Sequence, residues 1–168
     1  NHPFNLIVHQ VTPAIAVGCP VVVKPADITP LSCFAFVDIL YEAGLPKEWC
    51  QIVVPQDLEV ASALVSDERN AFFSFIGSAR VGWMLRSKLA PGTRCALEHG
   101  GAAPVILAAD ADLDDALPRL AKGGFYHAGQ VCVSVQRIFA HSSIAEKAAE
   151  CLAVLGAKMR VGDPTSAD

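Results

Sequence analysis

The sequence predicts an α/β fold in which helices cover a parallel sheet. Short apolar runs alternate with longer segments of helical period along the chain, which is the pattern of repeated strand–helix–strand units. Apolar residues make up 52% of the 168 residues and charged residues only 18%. A chain of this size can bury a core, and so large an apolar share suits a piece of a larger buried assembly.

The first helix is predicted over residues 3–17. Its apolar side chains recur at helical spacing, at Phe4, Ile7, Val8, Val11 and Ile15. Pro13 is expected to kink this helix and Gly18 to end it. A strand over residues 20–23 follows.

The second helix begins near Thr29 and forms the crossover of a strand–helix–strand unit. Thr29 is expected to be its N-cap, with Pro30 in its first turn and Gly44 after its end. The later elements alternate in the same way. Strands are predicted over 51–54, 71–76, 93–97, 104–107 and 135–140, and helices over 58–65, after Gly77-Ser78, over 112–123 and over 144–158.

Charge and composition exclude several classes of protein. A net charge of −4 gives no basic footprint, so we expect no nucleic-acid partner. The longest apolar stretches are too short to cross a bilayer, so we expect no membrane partner. The chain starts without Met or a signal peptide and is expected to be a fragment.

The six cysteines show no CxxC spacing, which argues against a metal site and against a disulfide framework. Reduced thiols predict a cytoplasmic protein, with five of the six cysteines buried as small apolar side chains.

The segment Gly129-Gln130-Val131-Cys132 places a thiol in a glycine-flanked setting, and Glu98 lies upstream of it. A cysteine thiolate is a good nucleophile, and a glutamate that takes a proton from thiol or water is its usual companion. Such a pair is common by chance. His127 is an alternative base for a Cys-His hydrolase, but no Asn or Asp is identified that would orient it.

Two further segments could bind an anionic ligand. The turn from Gly77 to Gly82 lies between a strand and a helix, where exposed amides attract phosphate. Lys24 follows three valines and so emerges at the carboxyl end of a strand, where open α/β sheets bind ligands. A plain tight turn and a solvated lysine are the structural alternatives, and the strict GxGxxG pattern is absent.

The sequence resembles the aldehyde dehydrogenase superfamily in seven blocks that occur in the family's order. They are Asn1-His2-Pro3-Phe4, Pro13-Ala14-Ile15-Ala16-Val17-Gly18, Val22-Val23-Lys24-Pro25-Ala26-Asp27, Phe75-Ile76-Gly77-Ser78 with Gly82, Glu98-His99-Gly100-Gly101, Asp110-Ala111-Asp112-Leu113 and Gly129-Gln130-Val131-Cys132. The resemblance covers nearly the whole chain. It implies a partial Rossmann-like dinucleotide-binding domain over residues 1–97 and the first part of a catalytic α/β domain over 98–168.

The resemblance implies roles for three catalytic residues. Cys132 would attack the aldehyde carbon, and Glu98 would activate the water that hydrolyses the thioester. Asn1 and the Cys132 backbone N–H would form the oxyanion hole. Asn5 competes with Asn1, but the spacing to Pro13 favours Asn1. His99 departs from the family's pattern, and its role stays open.

The resemblance also implies a cofactor, NAD or NADP. Lys24 and Asp27 would face the adenosine ribose, and Gly77, Ser78 and Gly82 match the family's pyrophosphate turn. Asp27 stands where many relatives have Glu. Its shorter side chain leaves room for a 2′-hydroxyl or a 2′-phosphate, so the choice of cofactor stays open.

The function that follows is oxidation of a small-molecule aldehyde to a carboxylic acid by a homo-oligomeric full-length enzyme. The 168 residues alone are expected to be inactive. One alternative is a catalytically incomplete fragment or a nucleotide-binding module. Another, transfer of the acyl group to coenzyme A, is disfavoured because such relatives generally lack the glutamate that Glu98 matches.

Overall fold

The computed structural model describes residues 2–163 and 165–166, and in it the chain divides into two compact units. The first unit ends at His99 and the second begins at Gly100. The strands are β1 (Val21–Val23), β2 (Cys50–Ile52), β3 (Phe72–Ile76), β4 (Arg94–Glu98), β5 (Val105–Leu107) and β6 (Ile138–Ala140). The α-helices are α1 (Pro3–Ala16), α2 (Leu31–Glu42), α3 (Leu58–Ser66), α4 (Ala79–Arg86), α5 (Leu113–Phe125) and α6 (Ala145–Ala157).

The strands form three parallel pairs, β1 with β2, β3 with β4, and β5 with β6. A helix connects the two strands of each pair, namely α2, α4 and α5 in turn. Parallel strands need such a crossover, because a tight turn can only reverse the chain. The predicted α/β class with parallel strands is therefore confirmed.

Each unit has its own apolar core. In the first unit, Val11 of α1 packs with the α2 residues Cys33, Phe36 and Val37 and with Cys50 of β2. In the second unit, the core is built by residues of β5, α5 and α6, namely Leu107, Leu113, Leu117 and Ala148. Of the apolar residues predicted on one face of α1, Ile7, Val8 and Ile15 pack against the first core around the buried Val11, whereas Phe4 is exposed.

The caps explain where several helices begin. Asp57 accepts a hydrogen bond from Val60 N at the start of α3, and Ser78 accepts one from Val81 N at the start of α4. Asp112 accepts from the amides of Asp114 and Asp115, so the acidic run marks the N-terminus of α5 as predicted.

The expected cap of α2 is wrong. Pro30, not Thr29, occupies the N-cap position, and no side chain caps this helix. The Thr29 carbonyl instead accepts a hydrogen bond from the Ser32 hydroxyl at 3.4 Å. At the other end of α2, Gly44 has φ +96°, which fits its predicted place after the helix.

Three large aromatic side chains are exposed. Phe72, Trp83 and Phe125 are each more than half exposed, at 59%, 52% and 55%. The expectation for the cysteines is only partly right, because Cys33 and Cys50 are buried while Cys19 is exposed.

Candidate functional site

Lys24 lies one residue beyond β1, at the carboxyl end of the β1–β2 pair. Its ammonium contacts Asp27 Oδ1 at 2.6 Å and donates to the Pro25 carbonyl at 3.1 Å. The two charged side chains are 30% and 67% exposed, so the ion pair adds little to stability and both groups remain accessible to a ligand.

Lys24 and Asp27 share a cavity of about 310 Å³ in the first unit. Its other lining residues come from the loop after β2 and the start of α3, namely Val54, Pro55, Gln56, Asp57, Leu58 and Ala61. Sequence reasoning did not single out Gln56 or Asp57. Their position just after a strand at the same sheet edge was the signal that could have found them.

The predicted pyrophosphate turn lies at the carboxyl end of the β3–β4 pair. Gly77 N donates to the Glu98 carbonyl at 3.1 Å, directly after the register partners Ile76 and Glu98. The Ser78 hydroxyl accepts from Val81 N at 3.4 Å and so caps α4. The turn therefore presents a helix N-terminus, the feature that favours an anion.

Gly82 is buried in α4 because His99 packs against it. A Cβ at position 82 would lie 2.9 Å from His99 Cδ2. The same imidazole lies beside the exposed Trp83 ring, with the ring centroids 5.2 Å apart. His99 thus connects the strand that ends at Glu98 with the helix that follows the turn, a packing role that the sequence did not reveal.

Glu98 is the last residue of β4, and it is exposed to solvent. Its backbone is held by the pairing with β3, while its carboxylate appears in none of the ion pairs formed among the described residues. The predicted base and the predicted pyrophosphate turn therefore share one edge of the first unit.

Cys132 lies in the second unit, on an exposed turn between α5 and β6. Ser134 N donates to the Val131 carbonyl at 3.0 Å and closes this turn. The preceding residues His127, Ala128 and Gly129 have φ of 50°, 55° and 74°. Such values are uncommon for residues with a Cβ, so local contacts must hold this segment in place.

Two close contacts fix the turn that carries Cys132. A Cβ at Gly101 would lie 2.9 Å from the Cys132 carbonyl oxygen, so only glycine lets the two backbones approach this closely. The buried Ser134 hydroxyl donates to the Gly124 carbonyl at 3.1 Å. The turn is thus held on both sides within the second unit.

The structure brings Lys24 and Asp27 together, and it places Gly77, Ser78 and Gly82 on one turn and helix. None of these last three residues lines the cavity that Lys24 and Asp27 share. Cys132 belongs to the other unit, and Asn1 lies outside the described residues.

Neither a metal site nor a membrane span is found in the part of the chain that the structure describes. Its His, Cys, Asp and Glu side chains form no group of three that could hold a metal ion. None of its helices combines the length and apolar character that a bilayer requires.

Comparison with known proteins identifies the relatives of this chain. The sequence profile of the "Aldehyde dehydrogenase family" matches residues 1–168. A 3-sulfolactaldehyde dehydrogenase of Priestia aryabhattai is 38% identical over 164 residues, which are 98% of this chain and 34% of the relative. The chain therefore spans about a third of the length of this curated relative.

Solved structures agree with this result. Aldehyde dehydrogenase 21 from Physcomitrella patens, in complex with the reaction product succinate, matches with a TM-score of 0.86 and 38% identity over 98% of this chain and 34% of its own. A betaine aldehyde dehydrogenase variant from Staphylococcus aureus, in complex with NAD+, matches with a TM-score of 0.88 and 32% identity over 100% of this chain and 34% of its own.

Proposed function

Because the chain belongs to the aldehyde dehydrogenase family, we propose that the whole protein oxidises an aldehyde to a carboxylic acid with NAD or NADP. The observation that carries this proposal is the exposed Cys132 on a turn that Gly101 and Gly124 hold in place. A nucleophile needs both features, access for its substrate and a fixed position.

The residues of the first unit fit part of a dinucleotide. Lys24 and Asp27 line a cavity at the carboxyl end of a parallel strand pair, where such ligands bind. Asp27 would accept hydrogen bonds from ribose hydroxyls, and Lys24 would donate to them. The amides at the α4 N-terminus, at Ser78, would hold a pyrophosphate oxygen. The bound cofactor would supply the acceptor for the hydride of the aldehyde carbon.

Cys132 forms the covalent bond to the substrate. Its thiolate attacks the aldehyde carbon, and the carbonyl oxygen becomes an oxyanion that the Cys132 backbone N–H and the Asn1 amide stabilise. Loss of hydride from that carbon leaves a thioester on Cys132.

Glu98 completes the reaction by taking a proton from water. The water oxygen attacks the thioester carbon, the carbon–sulfur bond breaks, and the carboxylic acid leaves while the thiolate is restored. The exposed position of Glu98 at the end of β4 supports this role, since the base must meet solvent water.

The proposal includes further statements. The cofactor is NAD or NADP, and the intact enzyme is a homo-oligomer in the cytoplasm. Residues 1–97 are part of the dinucleotide-binding domain and residues 98–168 are the first part of the catalytic domain. The 168 residues alone are inactive. Large exposed apolar side chains such as Leu58 and Ile106, each 81% exposed, support a larger buried assembly for the intact protein.

The experiment follows NAD(P)H formation by the full-length protein with a set of aldehydes. We expect Cys132→Ser to lower kcat by at least about 100-fold while cofactor binding is kept, because a serine alkoxide is not available at neutral pH without a dedicated base. Cys19→Ser is the matched control, since Cys19 is the other exposed thiol of the described chain. Full turnover by Cys132→Ser would refute the assignment of the nucleophile.

A further inference from the structure

The second unit has a concave surface of about 530 Å³ beside the predicted nucleophile. It is lined by Arg119, Lys122, Gly123, Tyr126 and Val133. We propose that this surface is a subsite for a negatively charged group at the far end of the aldehyde substrate, with Lys122 as the residue that selects it. The inference rests on the proposed function, because it names the substrate class of that reaction.

Helix α5 builds one wall of this surface. Its buried stripe runs along Leu113, Leu117 and Ala121 and packs in the core. Arg119 and Lys122 are three residues apart on α5, and such positions form a separate stripe along a helix. Tyr126 follows Phe125, the last residue of α5, where the backbone is no longer helical. The two basic side chains are therefore placed by the same helix that anchors the core, and Tyr126 lies directly after its end.

Close backbone packing brings the turn after Cys132 to this wall. Val135 N donates to the Gly123 carbonyl at 3.2 Å. A Cβ at Gly123 would lie 3.1 Å from Val135 Cγ2, so the glycine leaves room for the approach. Val133 lines the surface and is bonded directly to Cys132. Adjacent Cα atoms lie about 3.8 Å apart, so the surface begins next to the thiol-bearing residue.

The charges at the surface are not equivalent. Arg119 donates two hydrogen bonds to Asp115 Oδ1, at 3.0 and 2.8 Å, so its charge is largely compensated. Lys122 takes part in none of the ion pairs among the described residues. No carboxylate lines the surface, and Lys122 therefore gives it a net positive charge.

This combination fits an aldehyde that carries an acid group. The Lys122 ammonium donates to a carboxylate or sulfonate oxygen, while the Tyr126 ring and the Val133 side chain contact the methylene groups between the acid and the aldehyde. An uncharged aldehyde gains only the apolar contacts. The surface thus predicts a preference for anionic over neutral substrates of equal length.

The test compares succinic semialdehyde with butanal, which has the same number of carbons and a methyl group in place of the carboxylate. For the full-length enzyme we expect a higher kcat/KM with succinic semialdehyde. Lys122→Met should lower that value by about 10-fold, mostly through KM, and leave butanal unchanged, because a hydrogen bond to a charged group is lost. A sulfonated propanal in the same assay distinguishes a carboxylate site from a sulfonate site.

Three further variants sharpen the result. Lys122→Arg should keep the preference, and Lys147→Met, on the exposed surface of α6, should leave both substrates unaffected. Asp115→Asn releases Arg119 and should raise kcat/KM for the anionic substrate. Higher ionic strength should weaken the preference of the wild type and not that of Lys122→Met.

Equal efficiency with both aldehydes, or an equal loss for both in Lys122→Met, would overturn the subsite while leaving the proposed function in place. No oxidation of any aldehyde with either cofactor would overturn the proposed function itself and the subsite with it.

Discussion

The backbone of Gly101 lies against the carbonyl oxygen of Cys132, so close that a Cβ at position 101 would stand 2.9 Å from that oxygen. Contacts this short do not occur with real Cβ atoms. A carbonyl cannot rotate away as the end of a long side chain can, so one of the two backbones would have to move. Gly101, the second glycine of Glu98-His99-Gly100-Gly101, is thus required because the Cys132 turn leaves no space for a side chain at this position.

Gly101→Ala should therefore displace the Cys132 turn. We expect kcat/KM for aldehyde oxidation to fall by about 10-fold or more, since small displacements of a reacting group are costly. Steady-state kinetics of the full-length variant measure this effect. Gly162→Ala is the matched control, because nothing lies within 4 Å of a Cβ built at Gly162. Unchanged kinetics in Gly101→Ala would mean that the Cys132 turn can shift without any loss of activity.

Glu98→Gln should separate the two halves of the reaction. The amide cannot take a proton from water, so we expect the first burst of NAD(P)H to remain while the steady-state rate falls about 100-fold or more. Rapid-mixing kinetics resolve the two phases. If burst and steady state declined by one common factor, Glu98 would act before the thioester forms or in the structure.

Asp27→Asn should shift cofactor preference toward NADP. Asp27 and Asp57 both line the cavity that Lys24 enters, so a 2′-phosphate there meets two carboxylates and one ammonium. Removing one negative charge and releasing Lys24 should raise the affinity for NADP relative to NAD by about 10-fold. Calorimetric titration with both cofactors measures the ratio. The control variant Asp38→Asn, at an exposed position on α2, should leave this affinity ratio unchanged. If Asp27→Asn changed the affinities for NAD and NADP by the same factor, that result would contradict this role of Asp27.

The buried thiol of Cys33 should make stability fall in alkaline solution. Burial, and secondly the neighbouring Cys50, raise the pKa of Cys33 from its usual 9.0 to about 11. Above pH 9 the unfolded chain loses this proton while the folded chain keeps it, so the folded state binds more protons there. Stability should decline between about pH 9 and 11, by up to about 1.4 kcal/mol per pH unit from this group.

Urea unfolding of the wild type and of Cys33→Ala across that pH range measures the contribution of Cys33. The wild type should lose stability more steeply than the variant, which lacks the titrating thiol. Parallel pH profiles of the two proteins would show that Cys33 keeps an ordinary pKa.

The order of helices and strands was predictable because each element carries its own periodicity. Several signals depend only on neighbours within a few residues, namely the apolar run Val21–Val23, the helix end at Gly18 and the acidic start of α5. The predicted strand over 135–140 is three residues longer than β6, because its first residue has a partner elsewhere. Val135 N donates to the Gly123 carbonyl of α5 at 3.2 Å and not to β5, and this long-range contact leaves no trace in the local pattern.

Which aromatic side chains are covered could not be predicted either. Phe72 and Phe125 are as apolar as buried residues, and only the packed neighbours decide their exposure. The same holds at the candidate site. Lys24 is indicated by its place after a strand and Asp27 only by the family resemblance, whereas the fit of His99 over Gly82 depends on two segments that are not adjacent in the sequence.

Helix α5 separates the residues that folding requires from those of the proposed anion subsite. The stripe of Leu113, Leu117 and Ala121 is under constraint from the core, while Lys122 and Arg119 are exposed. Substitutions at these two exposed positions should therefore be tolerated, and a gene that acquires them keeps a foldable product. A small saturation library at positions 119 and 122 would therefore vary the proposed anion subsite while its members still fold.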